Sequence, residues 1–144
     1  MKIVGVDPGV STGLACFSSG YFIDGSVGMN YDEIEEYILS REPDIVVVED
    51  YIARKGPNTY HPPIRVIGVV EWICSRNHIP MVIQSPSILR FTLDRVKHLH
   101  KSPHVRSASA HVVYYLSKRG IHAESNTGQT GPDDTGFTDS SRMP

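Results

Sequence analysis

Two carboxylates at the ends of short apolar segments are the first candidates for chemistry in this sequence. Asp7 closes the β-branched run KIVGVD before a Pro-Gly turn, and Glu49 closes the nearly continuous apolar run Asp44–Glu49. If the two runs are parallel neighbours, they lie about 4.8 Å apart, and both carboxylates reach the edge where α/β sheets place their sites. Such carboxylates repel unless a cation lies between them, and hard oxygen ligands suit Mg²⁺ or Mn²⁺. The pair predicts a divalent-metal site; in the alternative, Asp7 caps a turn and Glu49 is only a polar strand end.

A second group of candidates follows Ser102-Pro103, which has the residue types of a helix N-cap and first helical position. His104, Ser107 and His111 are spaced i, i+3 and i+7, so they share one face of the predicted helix. An imidazole can ligate Mn²⁺ or can hold or protonate a water molecule. Ser107 could at most support a metal-bound water. For His111, a buried histidine that only supports the site is an equal alternative to a ligand.

The elements that must position these side chains follow from the apolar patterning. Three successive strands with tight turns predict an antiparallel meander, and two further strands alternate with helices, which adds a parallel half. The fold class is therefore α/β, a mixed sheet flanked by helices. Gly68, within the second helix, predicts close packing against a neighbour. The predicted elements are strands Lys2–Asp7, Gly13–Phe17 and Tyr21–Gly28, a helix that begins at Asn30 with Glu33 in a capping box, strand Asp44–Glu49, a helix opened by Pro62-Pro63, strand Pro80–Gln84, a short helix near Ser87–Lys97, and a helix that begins at Ser102-Pro103 and ends just before Gly120.

Length and composition predict one domain. The chain has 144 residues, of which 40% are hydrophobic, and we expect a domain over residues 1–122 and a disordered polar tail over 123–144. No apolar run approaches the ~20 residues of a membrane span, and the sequence enters a strand-like pattern at once, so no signal peptide is expected. Cys16 and Cys74 lie in apolar segments and are predicted to be buried free thiols of a reducing, cytoplasmic compartment.

Charge is distributed unevenly along the chain. Residues 1–53 carry ten acids against two bases, a net charge of −8, whereas residues 54–119 carry eleven bases against two acids, a net charge of +9. This asymmetry indicates an anionic partner for the second half, with nucleic acid the first candidate. A mixed, solvated surface is the alternative.

Four segments resemble one known family. Ile3–Gly13 (IVGVDPGVSTG), Val46–Asp50 (VVVED), Gln84–Phe91 (QSPSILRF) and Pro103–Leu116 (PHVRSASAHVVYYL) resemble RuvC-type Holliday junction resolvases, especially the phage-encoded branch. The resemblance covers about residues 1–120. It implies an RNase H-like fold and a homodimeric, structure-selective endonuclease that resolves four-way junctions or other branched DNA by two-metal hydrolysis. A phage-encoded member would act in the cytoplasm of a bacterial host.

The resemblance also implies roles for individual residues. In the family, one carboxylate ends the first strand, one ends the fourth, and one or two ligands come from the last helix. Asp7 and Glu49 match the first two positions, and His104 matches the first position on the helix, so these three are the predicted metal ligands. Ser107 stands where a carboxylate is expected. His111 is added because it shares a helix face with His104 and Ser107, so the predicted catalytic group is Asp7, Glu49, His104, Ser107 and His111. The serine leaves open a catalytically degenerate relative that binds junctions without cutting them; an actin-like phosphotransferase, suggested only by the DPG turn, ranks last.

The predicted contacts with DNA surround these segments. Tyr51, two residues after Glu49, could stack on an unpaired base at a branch point, with ordinary packing as the alternative. Apolar surface for a dimer is predicted at Tyr114, Tyr115 and the helix at Pro62–Asn77. The predicted phosphate-binding residues are Arg54, Lys55, Arg90, Lys97, Lys101 and Arg106.

Overall fold

The computed structural model describes residues 1–52 and 61–121 and shows a five-stranded mixed sheet flanked by helices. Arg54, Lys55 and the predicted tail 123–144 lie outside the described residues. The strands lie in the order β3-β2-β1-β4-β5. The elements are β1 (Lys2–Asp7), β2 (Thr12–Ser18), β3 (Tyr21–Gly28), α1 (Tyr31–Arg41), β4 (Ile45–Glu49), α2 (Pro62–Arg76), β5 (Met81–Gln84), a 3-10 turn (Pro86–Ile88), α3 (Leu89–Val96) and α4 (Pro103–Lys118).

The sheet has an antiparallel half and a parallel half, as the element order predicts. β1, β2 and β3 form the meander, and Ser19 and Gly20, both with positive φ, make the two-residue turn between β2 and β3. β4 pairs parallel with β1, and β5 pairs parallel with β4. The α/β fold class is therefore confirmed, and β1 lies at the centre of the sheet between its two halves.

Each face of the sheet packs against a different set of helices. On β1, Val4 and Val6 belong to the core beneath α1 and α2, whereas Ile3 belongs to the core beneath α4. Side chains alternate between the faces of a strand, so Asp7 lies on the α4 face with Ile3. Glu49 follows Ile45 and Val47 onto that same face. The period-two pattern therefore directs both carboxylates toward α4.

Three glycines allow α4 to lie directly on the backbone of the meander. A Cβ built on Gly5 of β1 would lie 2.5 Å from the carbonyl oxygen of Ala108, a distance that side chains do not reach without displacement. A Cβ on Gly13 of β2 would meet the backbone of His104, and one on Gly25 of β3 would meet Val105. This close approach brings the histidine face of α4 to the strand ends.

Local signals set the helix boundaries. Asn30 caps α1 by accepting from the backbone N–H of Glu33, but the Glu33 carboxylate accepts from Met29 rather than from Asn30, so the predicted capping box is displaced by one residue. Ser102 caps α4, where its hydroxyl accepts from the first free backbone N–H groups, as predicted. Gly120, with a φ of 73°, follows the helix end.

Two sequence expectations differ from the structure. Gly68 was expected to pack closely, yet a Cβ there would meet nothing within 4 Å, because this position of α2 faces outward. Tyr115 was expected to offer surface for a dimer, but it is only 7% exposed and belongs to the core beneath α4. Trp72 of α2 does remain exposed, at 55%. None of the described helices is long and apolar enough to cross a membrane.

Candidate active site

The carboxylates of Asp7 and Glu49 meet at the carboxyl ends of two neighbouring parallel strands. The register pairs Val6 with Val48, so the next residue on each strand is one of the two acids. Their side chains are 18% and 15% exposed and share a hydrogen bond. The pKa of Asp7 rises to about 8, first because burial penalises the charged form, then because of repulsion by Glu49 and the hydrogen bond between the two. Without a cation, the pair therefore holds a proton near neutral pH.

α4 places one histidine beside each carboxylate. His104 Nδ1 lies 3.8 Å from Asp7 Oδ2, and the His104 side chain is 48% exposed. His111 Nε2 lies 3.3 Å from Glu49 Oε1, and the His111 side chain is completely buried. Seven residues of helix advance about 10.5 Å, so the two histidines reach the pair from its open and its buried side. Ser107 lies between them on the helix and is half-buried.

Gln84 is part of this cluster, although the sequence analysis did not select it. It ends β5 and is paired with Glu49 in the parallel ladder. Its side-chain nitrogen lies 3.0 Å from the backbone oxygen of His111 and 3.0 Å from His111 Nδ1. The sequence does contain a signal for it, because Gln84 is the polar last residue of an apolar strand, as Asp7 and Glu49 are of theirs. The three strand ends β1, β4 and β5 therefore all contribute a polar side chain.

The donor set suits a divalent cation, but it is not a preassembled cage. Across residues 1–52 and 61–121, no three His, Cys, Asp or Glu side chains already stand around a single ion position. Glu49 Oε1 and His111 Nε2 are buried without a hydrogen-bond partner, although they lie only 3.3 Å apart. Two carboxyl groups that meet largely out of water, one of which retains its proton, form a place where a divalent cation could replace that proton and offset their repulsion.

The aromatic and basic candidates differ in their contacts. The Tyr51 hydroxyl is 3.1 Å from His61 Nδ1, which links the segment after β4 to the start of α2. Arg106 donates to the backbone oxygens of His100 and Lys101, at 2.8 Å and 2.9 Å, so its guanidinium holds the loop before α4. Arg90, Lys97 and Lys101 are exposed.

Comparisons with solved structures identify the class of fold. RuvC from Thermus thermophilus matches with a TM-score of 0.67 and 15% identity, over 84% of this chain and 98% of that one. The same protein in complex with Holliday junction substrate gives 0.68 and 15%, over 83% and 97%. The fowlpox virus Holliday junction resolvase gives 0.61 and 13%, over 82% and 99%.

The protein therefore has the RNase H-like fold of the RuvC and poxvirus resolvases, as the resemblance in sequence implied. At these identities the likeness defines the fold. No protein-family model matches the chain, and no curated protein matches it.

Proposed function

We propose that this protein is a metal-dependent endonuclease that resolves Holliday junctions or other branched DNA. The observation that carries the proposal is the hydrogen-bonded pair of Asp7 and Glu49 at adjacent strand ends, beneath the histidine face of α4. The pair lies in a fold whose neighbours are Holliday junction resolvases, one of them described bound to its junction substrate. The fold alone would not assign an activity; the paired carboxylates at that place in the fold support this one.

Asp7, Glu49 and His104 would hold Mg²⁺ or Mn²⁺. Bound there, divalent metal would supply an activated water molecule and would stabilise the departing 3′-oxygen, as in two-metal phosphodiester hydrolysis. The contributions of the chain are to bring two carboxylates together and to keep them largely out of water. The proton that Asp7 retains near neutral pH must leave before both carboxylates can act as ligands. His104, being half exposed, can turn its imidazole toward the Asp7 side of the pair.

Phosphate binding would come from the basic second half of the chain. Arg90 and Lys97 on and after α3, and Lys101 before α4, are exposed and can approach a DNA backbone. Arg106 contributes indirectly, since it holds the loop that carries Lys101. Tyr51 remains a proposed stacking residue at a branch point. These contacts would give affinity that falls steeply with salt.

A homodimer would present two such sites to the two sides of a four-way junction. The exposed Trp72 and Ile64 of α2 offer apolar surface for it, at 55% and 49% exposure. The two residues are eight positions apart on the exposed side of α2, and burial between two copies would stabilise a dimer. Sedimentation of the protein with and without Trp72→Glu measures this directly, and a monomeric parent would remove the dimer from the proposal.

The second candidate function is junction binding without cleavage, which is favoured by Ser107 at the position where the family resemblance implies a carboxylate. One experiment separates the two. A labelled four-way junction and a linear duplex of the same sequence are incubated with the protein in Mg²⁺ or Mn²⁺, and binding is followed in parallel. Cutting of the junction but not of the duplex supports the nuclease. Tight junction binding without cutting in either metal supports the non-catalytic candidate.

A further inference from the structure

The contact between Gln84 and His111 determines the orientation of the Gln84 side-chain amide. The Gln84 side-chain nitrogen is 3.0 Å from two atoms, the backbone oxygen of His111 and His111 Nδ1. A carbonyl oxygen only accepts hydrogen bonds. The group facing it must therefore be the amide NH₂ of Gln84, because the alternative amide orientation would oppose two oxygens. The backbone carbonyl thus determines which end of the Gln84 amide faces the histidine.

That orientation determines where the histidine carries its hydrogen. The Gln84 NH₂ group has two hydrogens, one for the His111 carbonyl and one for Nδ1. Nδ1 must accept, so it cannot itself carry a hydrogen. A neutral imidazole has one hydrogen, which then resides on Nε2. Nε2 is the atom that lies 3.3 Å from Glu49 Oε1, in a position completely closed to solvent.

We propose that Gln84 locks His111 as its Nε2–H tautomer, and that His111 is a positioning residue that donates to Glu49 rather than a metal ligand. This role rests on the proposed function, because Glu49 is positioned there for a cation. Glu49 Oε1 has no hydrogen-bond donor, and Nε2 has no acceptor. A small rotation of the Glu49 carboxylate, which opening of its hydrogen bond to Asp7 would allow, aligns the two as one hydrogen bond. Glu49 Oε1 would then be held by His111, and the other carboxylate oxygen would face the cation.

The same chain of contacts excludes His111 from the metal. A ligating nitrogen must present a lone pair, and the Nε2 lone pair is not available when Nε2 carries the hydrogen. Releasing it would require a hydrogen on Nδ1, directly against the Gln84 NH₂ group. The helix therefore supplies one histidine of each kind: the exposed His104 remains available to the cation, while the buried His111 orients a carboxylate.

The first test is spectroscopic and needs neither DNA nor activity. The ring nitrogens of His111 are followed by long-range ¹H–¹⁵N correlation at about pH 8. His111→Gln, which lacks the signal, assigns it. We expect a protonated Nε2 and a bare Nδ1, unchanged when Mg²⁺ is added. A hydrogen on Nδ1, or loss of the Nε2 hydrogen on addition of Mg²⁺, would overturn the proposal.

The second test compares two replacements of His111 by calorimetric titration with Mn²⁺ alone. The side-chain amide of His111→Gln can present an N–H near the position of Nε2, whereas His111→Leu fills similar space without a donor. Loss of a group that orients a metal ligand typically weakens metal binding by about 10–100-fold. We therefore expect that loss for His111→Leu and only a few-fold loss for His111→Gln. Equal losses in the two variants would indicate that the imidazole lone pair matters and would contradict the proposal.

Gln84→Leu completes the design, because it removes the lock without touching His111. We expect the Nδ1–H form to become populated in the spectrum and Mn²⁺ binding to weaken. An unchanged tautomer would show that Gln84 does not determine it. If the parent never cuts junctions yet shows the expected tautomer, the proposed nuclease function fails while the assignment of the Gln84 lock stands.

Discussion

Replacement of Asp7 by asparagine should stabilise the metal-free protein at neutral pH, even though Asp7 is a proposed metal ligand. The Asp7 carboxyl group is 18% exposed and is hydrogen-bonded to a second carboxyl group. Its pKa is about 8 in the folded protein and 3.8 in an ordinary setting. Asparagine has nearly the same shape, cannot ionise, and can still donate to Glu49. The substitution therefore imitates the protonated state that the fold already prefers.

The sign and size of the effect follow from proton linkage. Because the folded-state pKa of Asp7 is raised, its carboxyl group lowers the unfolding free energy of the parent protein. This loss is absent below pH 3.8 and grows as pH rises toward about 8, where Asp7 also loses its proton in the folded protein. Each pH unit above 3.8 costs the folded parent about 1.4 kcal/mol, so at pH 7 the upper bound on its destabilisation by Asp7 is about 4 kcal/mol. Partial solvent access and relaxation reduce this, and we expect about 1–3 kcal/mol of added unfolding free energy in Asp7→Asn.

Urea unfolding in the presence of a chelator, at about pH 5 and about pH 8, measures this gain. The gain should be larger at the higher pH. Asp94→Asn, at an exposed position of α3, is the matched control for loss of one negative charge and should show no such pH-dependent gain. Added Mn²⁺ should stabilise the parent more than Asp7→Asn. A destabilised Asp7→Asn variant at pH 8, or a gain independent of pH, would refute the raised pKa of Asp7.

Three further outcomes are expected. Gly13→Val should lower the unfolding free energy by more than ~2 kcal/mol, because any side chain there meets the backbone of α4. Gly68→Ala, on the open face of α2, should instead raise it by roughly 0.5–1 kcal/mol, and equal effects of the two substitutions in urea unfolding would contradict the close packing of α4 on Gly13. Joint replacement of Lys97 and Lys101 by alanine should reduce the log–log salt slope of junction binding, expected near −5 for ~6 phosphates, by about 2. The parent should cut better in Mn²⁺ than in Mg²⁺, and Ser107→Asp should shift the preference toward Mg²⁺ by adding an oxygen ligand; a metal titration without that shift would place the missing ligand elsewhere.

The fold and the central pair follow from short-range patterns. Side chains of a strand alternate between its two faces, which is enough to put Asp7 and Glu49 on one face if the two strands are parallel neighbours. The sequence analysis stated that pairing as a condition, and the register of β1 with β4 confirms it. The helix face of His104 and His111 follows equally from the helical period.

How closely α4 approaches the sheet cannot be predicted from those patterns. It depends on glycines in three separate strands, each of which removes a side chain at a point where the helix crosses. A sequence pattern indicates that a glycine is present but not what lies above it, which is why Gly68 was wrongly assigned close packing. For the same reason the contact between Gln84 and His111 was missed, since it joins the end of β5 to the middle of α4 across 27 positions of sequence.

Cleavage of a labelled four-way junction by the parent, Asp7→Asn and Glu49→Gln, with junction binding measured on the same samples, tests the central claim most directly. The parent should cut in Mn²⁺ or Mg²⁺. Each variant should bind the junction at least as well as the parent, because a carboxylate that holds metal repels phosphate, yet should not cut it. Asp94→Asn should cut like the parent. Near-parental cleavage by either site variant would show that the paired carboxylates are not the catalytic centre.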